Sequence, residues 1–240
     1  MSRIFITGDT HGSYDMTKLS RRHFQEGKTL TKNDYVIICG DFGCVWGGEL
    51  EKSDKWWQNW LDEQTWTTLW IDGNHENHDL LQTYPVEQWH GGRIHKINNS
   101  IYHLMRGEVF TINDKTIFTF GGGYSTDRAY RKEGVSWWKG ELPTHEEVNY
   151  ALQSLEKYNN HVDIILTHDA PRDIKEYLGF YNLCDMSVYG EEYEDIHSTL
   201  YFFKKNIVFQ DWYLGHYHID KDIGNMHILY NEIIEITDKE

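Results

Sequence analysis

Four short runs dominated by aliphatic and β-branched residues punctuate the chain: Ile4 to Thr7, Tyr35 to Cys39, Thr68 to Ile71 and Val162 to Thr167. Near-continuous hydrophobicity over so few residues predicts strands covered on both faces, as in a parallel sheet. Between them the apolar positions take helical spacing. Thr17 to Gln25, Ser53 to Asp62 and Thr144 to Tyr158 read as amphipathic helices. The last opens with Thr144 and Glu147 at capping-box spacing, ahead of a stripe of Val148, Ala151, Leu152 and Leu155. From about Ser100 the texture changes: Glu108 to Phe120 predicts two strands around an Asn113-Asp114 turn, and Met226 to Ile236 a similar hairpin around Asn231. A second sheet with antiparallel pairs follows. Two sheets with helices outside them give an α/β (α+β) chain folded as a two-sheet αββα sandwich, because both faces of each sheet must be covered.

Composition is compatible with one domain over residues 1–240, since a single core can grow to roughly 250 residues. A hydrophobic share of 39%, with 10 Trp, 16 Tyr and 10 Phe, fills such a core, and 3 Pro argue against a linker-rich chain. No run approaches the roughly 20 apolar residues of a membrane span, and Met1 leads almost directly into the run at Ile4, so a cytoplasmic protein without membrane contact is expected. Cys39, Cys44 and Cys184 form no CxxC pair and are odd in number, which predicts buried or idle thiols and no disulfide framework. The formal charge of −15 opposes binding of duplex nucleic acid and leaves small phosphoester substrates or proteins as partners.

Five strings carry the candidate chemistry: Asp9 and His11; Gly40 and Asp41; Gly73, Asn74, His75 and Glu76; His168; and Gly215, His216 and His218. Each follows an apolar run, and ligands collect at the carboxyl ends of strands in open α/β sheets. The donors are oxygen and imidazole nitrogen without sulfur, which suits Mn²⁺, Fe²⁺ or Zn²⁺ at a reactive centre. Even with His75 and Glu76 set aside, the seven remaining groups exceed the needs of one ion; with one bridging carboxylate they divide evenly between two. Two dications about 3.5–4 Å apart clamp a phosphoryl group and bring a bridging water toward hydroxide, so no Ser or Cys nucleophile is required. Gly8, Gly40, Gly73 and Gly215 precede site residues and are expected to let the chain turn sharply.

In this order the strings resemble the calcineurin-like metallophosphoesterase superfamily, from Asp9 to His218. The resemblance implies that Asp9, His11 and His218 hold one metal, Asn74, His168 and His216 the other, and Asp41 bridges. It implies two divalent transition metals, with Mn²⁺ expected and Fe or Zn as alternatives. It also implies that His75 contacts the phosphate as general acid, with Glu76 as its orienting partner; an imidazole that carries no metal suits proton delivery, while a ligand role for His75 is the competing reading. The sequence departs from the family pattern after Asp41, where Phe42, Gly43 and Cys44 stand in place of a second carboxylate and an Arg. This weakens a phosphoprotein phosphatase reading.

Arg128 and Arg131, in a segment resembling a bacterial and phage branch, are candidate replacements for that Arg because a guanidinium fork binds phosphate bidentately; surface pairing with Asp127 or Glu133 is the alternative. Trp46, Trp56, Trp57, Trp60 and Trp66 read mainly as core packing, with Trp56 and Trp60 on one helical face, and otherwise as an aromatic wall for a nucleobase. Glu191 to Asp195 reads as a helix start. The expected function is metal-dependent hydrolysis of a phosphomonoester or phosphodiester, favouring a small nucleotide-type substrate. A phosphoprotein phosphatase and a non-catalytic metal-containing binding module are the alternatives.

Overall fold

The computed structural model describes residues 2–47 and 52–237. In chain order its elements are β1 (Ile4–Thr7), β2 (Tyr35–Cys39), α1 (Lys52–Asp62), β3 (Thr67–Ile71), α2 (His78–Leu81), β4 (Val86–Trp89), β5 (Gly92–Asn98), β6 (Ile101–Leu104), β7 (Glu108–Ile112), β8 (Lys115–Phe120), α3 (His145–Glu156), β9 (His161–Thr167), α4 (Arg172–Tyr177), α5 (Ile196–Asn206), β10 (Val208–Leu214), β11 (Lys221–Ile223), β12 (Met226–Ile228) and β13 (Ile233–Glu235). The buried runs become the parallel strands of two sheets. Among the described residues one sheet has the order β13-β1-β2-β3-β6-β5-β4 and the other β11-β12-β10-β9-β8-β7. β1, β2, β3 and β6 run parallel in the first, and β8, β9, β10 and β12 in the second, with antiparallel strands at the margins.

Between the sheets, Ile6, Ile37 and Leu69 meet Phe110, Ile164 and Leu166 in one apolar layer. Outside the first sheet, Val36, Ile38 and Trp70 are covered by Met16, Leu19 and Leu61. Outside the second, Phe118, Ile165 and Trp212 are covered by Leu155 of α3, Ile174 of α4 and Phe203 of α5. The result is the expected αββα sandwich. Thr144 and Glu147 close a reciprocal capping box on α3, and Asp195 caps α5 by accepting from the amides of His197 and Ser198. β7 and β8 form the expected hairpin, with Asn113 and Asp114 at φ 52° and 61°, the left-handed pair a two-residue turn requires. No helix among the described residues is long and apolar enough to cross a membrane.

Three expectations need correction. Thr17 to Gln25 is not an α-helix: a 3-10 turn over Met16–Leu19 ends where Ser20 becomes extended, and a second spans Glu26–Lys28. An isolated segment of that length is a marginal helix in water, so burial of Met16, Leu19 and Phe24 decides its path. Met226 to Ile236 is not a hairpin either. β12 pairs with β10 while β13 pairs with β1 in the other sheet, and the crossing is held by Asp220, which accepts from the amides of Tyr230, Asn231 and Glu232 at 2.7, 3.0 and 3.0 Å. On α1, Trp57 and Trp60 pack on the core while Trp56 faces solvent at 57% exposure, so Trp56 and Trp60 do not share the buried face.

Candidate metal centre

Parallel strands from both sheets end at one rim. Asp9 and His11 follow β1, Asp41 follows β2, Asn74 and His75 follow β3, His168 follows β9, and His216 and His218 follow β10. The glycines make room there. A Cβ on Gly40 would lie 2.2 Å from His168 Nδ1, one on Gly73 2.2 Å from Asp41 Oδ1, and one on Gly215 2.2 Å from Asp9 Oδ1. Of the four glycines only Gly40 has positive φ; the left-handed torsions fall on His11, Asp41, His216 and His218, at φ 41°, 46°, 70° and 51°. Such strain costs about 1–3 kcal/mol per residue and persists where surrounding structure enforces it.

The donors divide around Asp41. Its Oδ2 lies 3.2 Å from His11 Nε2, and its Oδ1 lies 3.3 Å from His168 Nε2. On the first side, Asp9 Oδ2 is 3.1 Å from His218 Nε2 and 4.0 Å from His11 Nε2. On the second, His168 Nε2 is 3.1 Å from Asn74 Oδ1 and 3.2 Å from His216 Nδ1. Outer contacts aim two of the rings: His11 Nδ1 meets Asp15 at 2.8 Å, and His168 Nδ1 meets the Cys39 carbonyl at 2.8 Å, so each Nε2 faces inward.

These residues fit a pair of divalent ions. Asp9 Oδ1 accepts from the His216 amide at 2.8 Å, yet buried Oδ2 receives no hydrogen bond. A buried carboxylate oxygen of that kind calls for a cation. Burial works against charge on His168, but Asp41 and Asp9 outweigh it and raise the imidazole to about 10. Burial likewise opposes ionisation of Asp41, and His168 and His11 hold it well below the usual carboxylate range. Two buried carboxylates thus demand positive charge, which protonated imidazole can supply and dications supply better.

His75 stands beside the donors. Its amide donates to Asp41 Oδ1 at 2.7 Å, and its ring nitrogens lie 2.9 and 3.1 Å from Arg131 Nη2. Burial lowers the His75 pKa, with Arg131 and His11 adding to the effect against Asp41. Arg131 also pairs with Asp127 at 2.7 Å, the alternative reading of this residue, while its guanidinium lies beside the His75 ring. Arg128 is engaged elsewhere, pairing with Asp185 at 2.7 Å and lying over the rings of Trp137 and Tyr189. The orienting role expected of Glu76 is corrected: its Oε1 accepts from the Phe42 amide at 2.6 Å, which ties the loop after Asp41 rather than the His75 ring.

Several supporting residues carried no motif. Asp169 directly follows His168 and accepts from Tyr217 Oη at 2.5 Å, with His197 Nε2 at 3.0 Å and His216 Nε2 at 3.8 Å. The visible signal was a carboxylate beside His168 and a Tyr inside the last string. Lys18 donates to the carbonyls of Gly8, Asp9 and Tyr230, fastening the first loop to the crossing before β13. Nothing in local spacing marks it.

The calcineurin-like phosphoesterase family profile matches residues 2–227. The chain belongs to that family. Lariat debranching enzymes of Drosophila pseudoobscura pseudoobscura and Arabidopsis thaliana are 27% and 26% identical over 202 and 196 residues, covering 73% of this chain and 34% and 44% of their own lengths. The chain therefore spans less than half the length of these curated relatives. A structure of the sulfate thiohydrolase SoxB from Thermus thermophilus aligns with 96% of the chain and 51% of its own at 11% identity, with a TM-score of 0.43.

One further chain of contacts leads outward from the donors. Asn74 Nδ2 donates to Ser125 Oγ at 3.1 Å, and Ser125 Oγ donates to Glu141 at 2.5 Å. This fixes the amide so that Oδ1 faces His168. Burial pushes the Glu141 carboxyl from 4.5 up to about 7, despite hydrogen bonds from Ser125 and Tyr189. A folded-state pKa above the unfolded value contributes stability that is full below about pH 4.5 and lost as pH rises through about 7. Glu141→Gln should therefore gain stability relative to the parent between pH 5 and pH 8, by up to about 3 kcal/mol. Parallel stability curves from denaturant unfolding at the two pH values would refute this.

Proposed function

We propose that this phosphoesterase hydrolyses a phosphomonoester or phosphodiester, with a small nucleotide-type molecule as substrate and Mn²⁺ as the working metal. The observation that carries the reading is Asp41, whose two carboxylate oxygens face two separate sets of donors. Asp9, His11 and His218 would hold one ion, Asn74, His168 and His216 the other, and Asp41 would serve both. When bound, two dications supply Lewis acidity toward the phosphoryl oxygens and bring a water toward hydroxide near neutral pH. Arg131 turns its guanidinium from Asp127 to the phosphoryl oxygens, where a planar fork can donate twice. His75 is the group placed to hand a proton to the departing oxygen, against the pull of burial and of Arg131, which favour its neutral ring.

The phosphoprotein and binding-module alternatives gain no supporting observation, since Phe42, Gly43 and Cys44 occupy the stretch where phosphoprotein phosphatases are most alike and His75 stands beside the donors. The test uses aryl phosphate mono- and diesters. Protein stripped with a chelator should lose turnover and regain it with Mn²⁺. Metal-loaded protein inactive on both esters would overturn the proposal.

A further inference from the structure

The space over the donors has two arms. One cleft, of ≈ 600 Å³, runs past Tyr14, Trp46 and Tyr230; the other, of ≈ 430 Å³, runs past Tyr124, Lys175 and Phe180. His75 and His218 line both. The arms therefore meet beside the donors and the imidazole assigned as acid. A phosphomonoester has one organic substituent and needs one arm, whereas two arms suit a phosphorus substituted on both sides.

The larger arm is aromatic, and Trp46 and Tyr230 in its wall are held in place while Tyr14 stands exposed. The Trp46 ring lies edge-on to Trp138 at 5.1 Å, its amide donates to Asp54 at 2.7 Å, and its carbonyl accepts from Asn77 at 2.7 Å. Tyr230 stacks on His218 at 4.7 Å with 18° between the planes, and its hydroxyl donates to Asp15 at 3.1 Å. Rings already held in place lose little freedom when a planar group joins them. Every nucleobase offers such a face.

Charge limits the length of the occupant. Among the described residues lining the aromatic arm there is no Lys or Arg, and its carboxylates are Asp15 and Asp54. In the other arm Lys175 donates its ammonium to the Asn182 carbonyl, and Asp127 stands opposite in sign. A continuing phosphate backbone would find few cations on either side, and the chain as a whole carries −15.

We infer that the substrate is a short nucleotide phosphodiester with one internal phosphate, a dinucleoside monophosphate in its simplest form, with one base between Trp46 and Tyr14. This rests on the hydrolytic reading above. Water adds its oxygen to phosphorus as the bond to the leaving oxygen breaks; that oxygen takes up a proton, giving one nucleoside hydroxyl and one nucleoside monophosphate.

The experiment measures kcat and KM of Mn²⁺-loaded protein for adenylyl-adenosine, p-nitrophenyl phosphate and a long single-stranded oligonucleotide. The dinucleoside should have the highest kcat/KM. Trp46→Ala should lower the ratio of its kcat/KM to that of p-nitrophenyl phosphate by about tenfold, mainly through KM, with Trp46→Phe restoring most of the loss. Tyr14 is 84% exposed, so Tyr14→Ala tests the same wall without burdening the fold and should raise the dinucleoside KM. A ratio unmoved in both alanine variants, or a long strand preferred over the dinucleoside, overturns the inference while leaving hydrolysis intact. No turnover of any of the three overturns the hydrolytic reading and this inference with it.

Discussion

Asp41→Ala should strip the protein of bound metal and of turnover together. The side chain is buried, with Oδ2 3.2 Å from His11 Nε2 and Oδ1 3.3 Å from His168 Nε2. Oδ1 also accepts from the His75 amide at 2.7 Å, so the same oxygen that faces the second donor set anchors the loop carrying Asn74. If Asp41 is shared by two ions, alanine removes a donor from both and loosens a third group at once. Metal chemistry of this kind is worth several kcal/mol of transition-state stabilisation, which corresponds to a loss of about a thousandfold or more in kcat. Elemental analysis should find two equivalents of metal in the parent and fewer than one in the variant. A variant that keeps both metals would remove Asp41 from the bridge.

His75→Ala should separate metal from turnover. The ring lies against Arg131 at 2.9 and 3.1 Å, on the side where both arms of the cleft meet. If its task is proton delivery, the variant keeps two metals and loses about 10²–10⁴ in kcat on an ester with an alkoxide leaving group. The loss should shrink on a p-nitrophenyl ester, whose leaving oxygen departs without a proton. The competing arrangement is real in the geometry, because His75, His11 and Asp41 also present donor atoms within 4.8 Å of one another. Loss of one metal in the variant would make His75 a ligand.

Much of this was legible in the sequence because strand ends are local. An apolar run followed by Gly and a carboxylate or imidazole marks both the strand and the rim, and all five strings lie at that rim. The division around Asp41 came from the family resemblance and not from residue spacing, since Asp9 and His218 are separated by most of the chain; in the fold they meet at 3.1 Å. The misreadings share a cause. In Thr17 to Gln25 and Met226 to Ile236 the local pattern suited a helix and a hairpin, but Lys18 and Asp220 bind carbonyls and amides of distant loops and tie these segments elsewhere. Glu76 follows His75 in sequence, yet its Oε1 accepts from the Phe42 amide. Asp169 stood in view beside His168, but its role shows only in the fold, where Tyr217 and His197 reach it from later elements. Side-chain contacts across the two sheets are set by tertiary packing, which residue spacing does not record.

Anomalous diffraction from crystals grown with Mn²⁺ tests the central claim most directly. The account predicts two peaks about 3.5–4 Å apart on either side of Asp41, one beside Asp9, His11 and His218 and the other beside Asn74, His168 and His216. A single peak, or two peaks that do not share Asp41, would contradict it.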